Sequence, residues 1–223
     1  MISAEMGRMF IELKYKGTMK SLLLPVISVF LMSCSVNSPE ATTRNMIRFQ
    51  KELNEEYRNP EETPLRGQFF VGFTGHPFFP VNLQYRVKAK LQKSPNAVQF
   101  EMPTSSGKTK TFKEYGKVKF FLEGKELTLT VFQMSSTSAS SKSPPTLFLP
   151  FRDLTNGLET YGGGRYLDLD VPTSAEVFID FNKSYHPYCA YNAFDYNCPI
   201  VPAENMLPAR IEAGVRYDDI YLK

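Results

Sequence analysis

Tryptophan is absent from the 223 residues, histidine occurs twice and cysteine three times. With only His76 and His186 available as bases, and no G-x-S-x-G motif, hydrolysis by a Ser-His-Asp arrangement has little to stand on. No Gly-Lys-Ser/Thr follows the one run of glycines, Gly162-Gly163-Gly164, which excludes a phosphate loop. Charge of one sign is lacking as well. Lys and Arg number 26 against 23 Asp and Glu, without a long basic run, so there is no electrostatic case for nucleic-acid binding.

What is present begins with an export signal. Met19-Lys20 precedes a short apolar run, Leu22 to Leu31, that is too brief to span a bilayer as a helix. The run ends at Leu31-Met32-Ser33-Cys34, which matches a bacterial lipoprotein box. On that reading Cys34 is diacylated and becomes the first residue of the mature protein, and two or more acyl chains give stable anchoring. The alternatives are plain secretory cleavage and a short membrane anchor. Residues 1–33 are thus expected to be the signal region, with Met19 a plausible true start. Residues 34–63 would hold the anchor cysteine, a tether and a helix, and residues 64–223 a β-rich domain. The expected location is the bacterial cell envelope, periplasmic or cell-surface, with the membrane as a partner through Cys34. Removing residues 1–33 leaves 22 basic against 21 acidic side chains, a nearly neutral chain.

Lipidation of Cys34 would leave Cys189 and Cys198 in an oxidising compartment, which favours one disulfide closing a small loop. Such a bridge would add roughly 2–3 kcal/mol in the chain-entropy account. Free thiols remain an alternative, as does a metal site made by His186, Cys189, Asp195 and Cys198. Structural zinc sites usually space paired cysteines more closely than this. No metal or cofactor is expected.

Ser38-Pro39 reads as an N-cap followed by proline in the first turn, and Met46, Phe49, Leu53 and Tyr57 then recur at helical spacing. Asn59-Pro60 stops this amphipathic helix. Beyond Pro64 the period changes to two. Leu83 to Leu91 alternates cleanly, as do Val98 to Met102 and a hairpin, Val118–Leu122 and Leu127–Val131, turning at Glu123-Gly124-Lys125. A Ser- and Pro-rich loop runs from Met134 to Pro145. Leu147–Phe151, Tyr166–Val171, Glu176–Phe181 and Ala209–Val215 complete the strand set. The pattern predicts a mainly β fold, a single antiparallel barrel or sandwich-like domain with one N-terminal helix.

The segment from Phe148 to Gly214 is the densest in polar and glycine positions. Its runs L147-F-L-P-F-R-D-L-T-N-G-L-E-T-Y-G-G-G-R-Y166, I179-D-F-N-K-S-Y-H-P-Y-C-A-Y-N192 and C198-P-I-V-P-A-E-N205 resemble a bacterial family of unknown function, DUF1684. F78-F-P-V-N-L-Q-Y-R-V-K-A-K-L91 and Y115-G-K-V-K-F-F-L-E-G124 also fit, so the similarity covers roughly residues 50–215. His186 departs from the pattern, which usually has Asn there, and the longer N-terminal portion of some relatives is absent. The resemblance implies a lipoprotein signal and a leading helix, but no reaction.

The same segment supplies the candidate site. Arg152, Asp153 and Arg165 form either a carboxylate-binding fork or a structural clamp between strands. Tyr161 and Gly163 belong to a glycine run that could let a ligand approach, or simply make a turn. Asp180 and Asn182 share one side of a strand end. With Glu204 and Asn205 they offer two carboxylates, Asp180 and Glu204, for acid–base catalysis, or else cap turns. Tyr185, with Tyr161, Tyr166, Tyr188, Tyr191, Phe194 and Tyr196, would have to supply any stacking surface. The leading expectation is a lipid-anchored envelope domain that binds a small polar ligand or a partner. A hydrolase using Asp180 and Glu204 near Arg165, and a purely structural envelope protein, are the alternatives.

Overall fold

The computed structural model describes residues 38–135 and 146–217. The expected signal region, Cys34, the start of the tether and most of the Ser- and Pro-rich loop lie outside the described residues. Helix α1 spans Pro39–Arg58; the Ser38 side chain accepts a hydrogen bond from the Ala41 N–H at 3.1 Å, and proline stands in the first turn. Met46, Leu53 and Tyr57 are buried and Phe49 is half-buried, so the helical stripe read from the sequence faces the protein. A five-residue helix, α2 (Gly67–Val71), follows in a stretch without a sequence signal.

Seven strands then form one antiparallel curled sheet. These are β1 (Arg86–Lys93), β2 (Gln99–Pro103), β3 (Thr109–Leu122), β4 (Lys125–Met134), β5 (Thr146–Phe151), β6 (Arg165–Asp170) and β7 (Glu176–Asp180). The order is β6-β5-β4-β3-β1-β7, with β2 pairing the first half of the long β3. The fold is therefore a half-barrel with one N-terminal α-helix, as the periodicity predicts. Val87, Ala89 and Leu91 of β1 face inward between exposed Lys88 and Lys90, and Val118, Phe120 and Leu122 do the same on β3. Each such residue, fully buried, contributes roughly 1.5–3 kcal/mol of hydrophobic stabilisation.

Two sequence expectations shift. Residues Leu83–Tyr85 form a 3-10 turn capped by the Asn82 side chain, so β1 begins later than the alternation suggests. Ala209–Val215 is not a strand. It is an extended segment that fills the curl of the sheet, with Ala209, Ile211, Ala213 and Val215 all buried. Its period of two is genuine, because inward side chains alternate along any extended chain, but no neighbouring strand takes up its carbonyls.

Gly214 shows how tightly this segment is inserted. Its φ is +77°, and a Cβ there would lie 2.1 Å from Ser184 Oγ and 2.7 Å from the Phe181 and Ser184 carbonyl oxygens. Gly107 has a similar φ of +76° with open space around it. Gly107→Ala should cost only the left-handed penalty of ~1–2 kcal/mol. Gly214→Ala should add overpacking of ~1–3 kcal/mol to that penalty. Denaturant unfolding of the two variants measures the difference; equal losses would refute the insertion described.

Candidate functional site

Arg165 opens β6 with its side chain fully buried, and its guanidinium contacts the equally buried Asp153 carboxylate. The same guanidinium donates to the carbonyls of Ile211, at 2.8 Å, and Ala213. Asp153 also accepts from the Thr155 N–H, at 2.6 Å, and from the Thr155 hydroxyl. Burial pushes the Arg165 pKa down, and the Asp153 carboxylate beside it pushes back up. Of the buried side-chain nitrogens and oxygens of this pair, Arg165 Nε has no partner among the described residues. The pair is thus closed off by its own loop and by the inserted segment.

The other sequence candidates are distributed through the fold. Arg152 is exposed; its backbone N–H donates to Asn205 and its carbonyl accepts from Leu207. Gly163 is exposed in a turn that Gly164 closes with an N–H to the Tyr161 carbonyl at 3.0 Å. Gly164 has φ +99°, and a Cβ there would meet the Phe151 carbonyl at 2.7 Å, so glycine serves close packing against β5. Asn205 is buried and bridges β4 to β5: its amide donates to the carbonyls of Thr130 and Pro150, and its oxygen accepts from the Thr130 N–H. Asn182 does the same to Asn82, accepting from its N–H and donating to its carbonyl, both at 2.9 Å.

Asp180 caps the turn after β7 and borders clefts at the open end of the sheet. Glu204 is exposed in a 3-10 turn that packs on β4. None of the clefts described contains both carboxylates.

Cys189 and Cys198 lie side by side, buried, as separate thiols, with the Cys189 N–H 3.1 Å from Cys198 Sγ. Asp195 is exposed and bonds Asn192, while His186 turns away from all three, so these four residues do not gather. His186 instead belongs to a buried chain. The Tyr161 N–H donates to His186 Nε2 at 3.2 Å, which leaves Nδ1 as the protonated nitrogen, 3.1 Å from the Tyr191 hydroxyl. That hydroxyl reaches His76 Nδ1 at 3.3 Å. Burial holds His186 well below the usual histidine range and takes His76 to about 3.

A second aromatic surface lies elsewhere. Between α1 and the outer side of β5 and β6 runs a groove of about 500 Å³, within the size range of small-molecule sites. Phe49 and Leu53 of α1 form one side, and Phe148 and Tyr166 form the floor, edge to face at 4.7 Å. Tyr185, Tyr188 and Tyr196 form the far wall, with Tyr188 and Tyr196 also edge to face at 4.9 Å. Asp168 on β6 accepts the Tyr185 hydroxyl at 2.7 Å, and Glu56 on α1 accepts that of Tyr188. Asp168 keeps access to water, yet desolvation by its surroundings raises its pKa against the lowering effect of that hydrogen bond. Burial raises both tyrosines, so the phenols stay protonated. Of the ligand-binding candidates read from sequence, Tyr185 lines this groove, and Cys198 of the cysteine pair borders it as well. Asp168 and Glu56 carried no motif, and only the density of aromatics after residue 160 hinted at the wall.

The two buried histidines set an acid limit. Their folded pKa values lie below the unfolded value of 6.5, so the unfolded chain binds more protons once the pH drops below it. Their contribution is complete above that pH and is lost as pH falls, by about 1.4 kcal/mol per pH unit for each histidine. Asp168 and Asp180, both raised chiefly by desolvation, act in the opposite sense. Unfolding free energy measured from pH 8 to pH 5 should therefore be flat above about pH 7 and fall steeply below about 6.5. A flat profile down to pH 5 would contradict neutral, buried imidazoles.

Residues 71–216 match the family described as "Protein of unknown function (DUF1684)". Among curated proteins none matches the chain. A solved structure, the solution NMR structure of an uncharacterized protein from Haloarcula marismortui, is similar to it at TM-score 0.64 and 27% identity, over 83% of this chain and 99% of that one. With most of the described sheet and the whole of the Arg165 clamp inside the matched span, the chain belongs to the DUF1684 family.

Proposed function

We propose that the protein is a lipid-anchored domain of the bacterial cell envelope that binds a small molecule in the tyrosine-lined groove between α1 and the sheet. One observation carries the binding half of this reading. Several aromatic rings and two carboxylates converge on about 500 Å³ of open space. Aromatic walls with a few fixed polar groups are what small-molecule sites generally present. The polar cluster around Arg165 supports the same choice by exclusion, because both terminal guanidinium nitrogens are spent on Asp153 and on the inserted segment, and the Nε that remains is buried. Ligand binding there would first have to break a buried ion pair, which costs several kcal/mol, of order 3–5.

The anchoring half rests on Leu31-Met32-Ser33-Cys34, which places the acylated cysteine five residues before Pro39. A tether of that length would keep the start of α1 close to the membrane surface. In an oxidising envelope the adjacent Cys189 and Cys198 thiols would close a disulfide behind the groove wall.

Two measurements on the full chain in detergent test the two halves separately. Metabolic labelling with a fatty acid should mark the protein and fail for Cys34→Ser; a labelled variant would remove the anchor. Native mass spectrometry should show mass that is lost on denaturation and is absent from Tyr196→Ala, which removes one half-buried ring of the wall. Retention of that mass by the variant would place the ligand elsewhere. A bare native mass in the parent protein would leave a purely structural role.

A further inference from the structure

The groove's hydrogen-bonding inventory says what kind of molecule it suits. A phenol carries one proton. Tyr185 gives its proton to Asp168, Tyr188 to Glu56, and Tyr166 to the Pro199 carbonyl. Because these three phenols stay protonated, their donors are committed to the protein. What they still present are lone pairs and ring faces. Asp168 and Glu56 each have further acceptor sites, since a carboxylate offers about four. Asp168 and Glu56 both act electrostatically on Tyr185, after its burial, which puts the two carboxylates within reach of one ring. Against these two negative charges the groove has, among the described residues, one cationic side chain, Lys110. That ammonium lies towards Cys198, where it helps to lower the thiol pKa, after the hydrogen bond from Cys189. Tyr196, Thr146 and Asn197 also line the groove with hydroxyl or amide donors, so its bias towards a cation rests on the two carboxylates and the π faces.

We propose that this groove binds a small organic cation, an amine or quaternary ammonium with an apolar body, held between the faces of Tyr185 and Tyr188 with Asp168 and Glu56 as counter-charges. The proposal rests on the groove being the ligand site and adds the class of ligand. Tyrosine faces attract cations through the ring quadrupole, and the attraction grows as the cation is desolvated. An anionic ligand would meet two carboxylates against the single ammonium of Lys110 among the described lining residues. A neutral, flat ligand would gain the aromatic surface but leave the acceptors without donors or charge.

The test uses pairs of probes that share a shape and differ in charge. Choline and 3,3-dimethylbutan-1-ol form one pair, and benzylammonium and benzyl alcohol a second, titrated into the full chain in detergent by calorimetry. At least one cation should bind at least about 10-fold more tightly than its neutral partner, a difference of about 1.4 kcal/mol. Asp168→Asn, which keeps the carbonyl acceptor for Tyr185, should cut that preference to within about 3-fold, and Lys110→Gln should raise cation affinity. The Asp168→Asn variant should melt within a few degrees of the parent, which separates lost charge from lost fold. No preference for either cation overturns the ligand class. If phenyl β-D-glucoside then binds and Tyr196→Ala abolishes it, the groove remains the site for a neutral ligand. If no probe binds and native mass spectrometry finds no retained molecule, the groove reading falls as well.

Discussion

The carbonyls of Ile211 and Ala213 lie in the core with no strand beside them, and the guanidinium of Arg165 reaches both. An extended chain presents every second carbonyl on the same side, and a planar fork of five donors can answer two of them at once. One side chain thus takes the place of a strand partner. Its charge then requires a counter-ion, which Asp153 supplies from the loop after β5, and Asp153 is held in turn by Thr155. Removing either partner would strand a charge, two carbonyls or both inside the half-barrel. Burying an ion pair is no guarantee of net stability, since desolvation offsets much of the attraction. What the pair fixes is the position of the segment that fills the curl of the sheet.

The remaining polar candidates repeat that logic on a smaller scale. Asn205 and Asn182 each offer a donor and an acceptor to one backbone position, mimicking a strand neighbour where the sheet has none. The glycines complete it, since Gly164 and Gly214 stand where a Cβ would strike backbone oxygen. A half-barrel that closes on an irregular segment needs such devices, because each buried N–H and C=O left unpaired costs about 1–3 kcal/mol. The dense run from Phe148 to Gly214 is largely the chemistry of closing a sheet without a strand.

Sequence legibility follows from that distinction. Ser38-Pro39, the stripe from Met46 to Tyr57 and the alternation of β1, β3 and β4 were readable because local signals and burial agree. Ala209–Val215 showed the alternation of a strand without being one, since alternation reports an extended backbone and not its partner. The pairing of Arg165 with Asp153 was legible as a clamp or a fork, and only burial decides between the two. The groove was hardest to see. Phe49 and Glu56 come from α1, Phe148 and Asp168 from the sheet, and Tyr188 and Tyr196 from the cysteine loop, so nothing in the local sequence joins them. Tyr185 was singled out for its neighbours rather than for the groove it lines.

The account separates a buried clamp that holds the fold from an open groove that faces its ligand, and the clamp can be tested without knowing the ligand. A double-mutant cycle on Arg165→Met and Asp153→Leu, followed by denaturant unfolding, is the direct measurement. Each single change should cost about 3–5 kcal/mol, because it leaves a partner uncompensated in the core. The double variant should recover part of that loss, giving a coupling of at least about 1–3 kcal/mol. Single variants that unfold like the parent, with no coupling between them, would contradict the clamp and return Arg165 to the role of a ligand-binding residue.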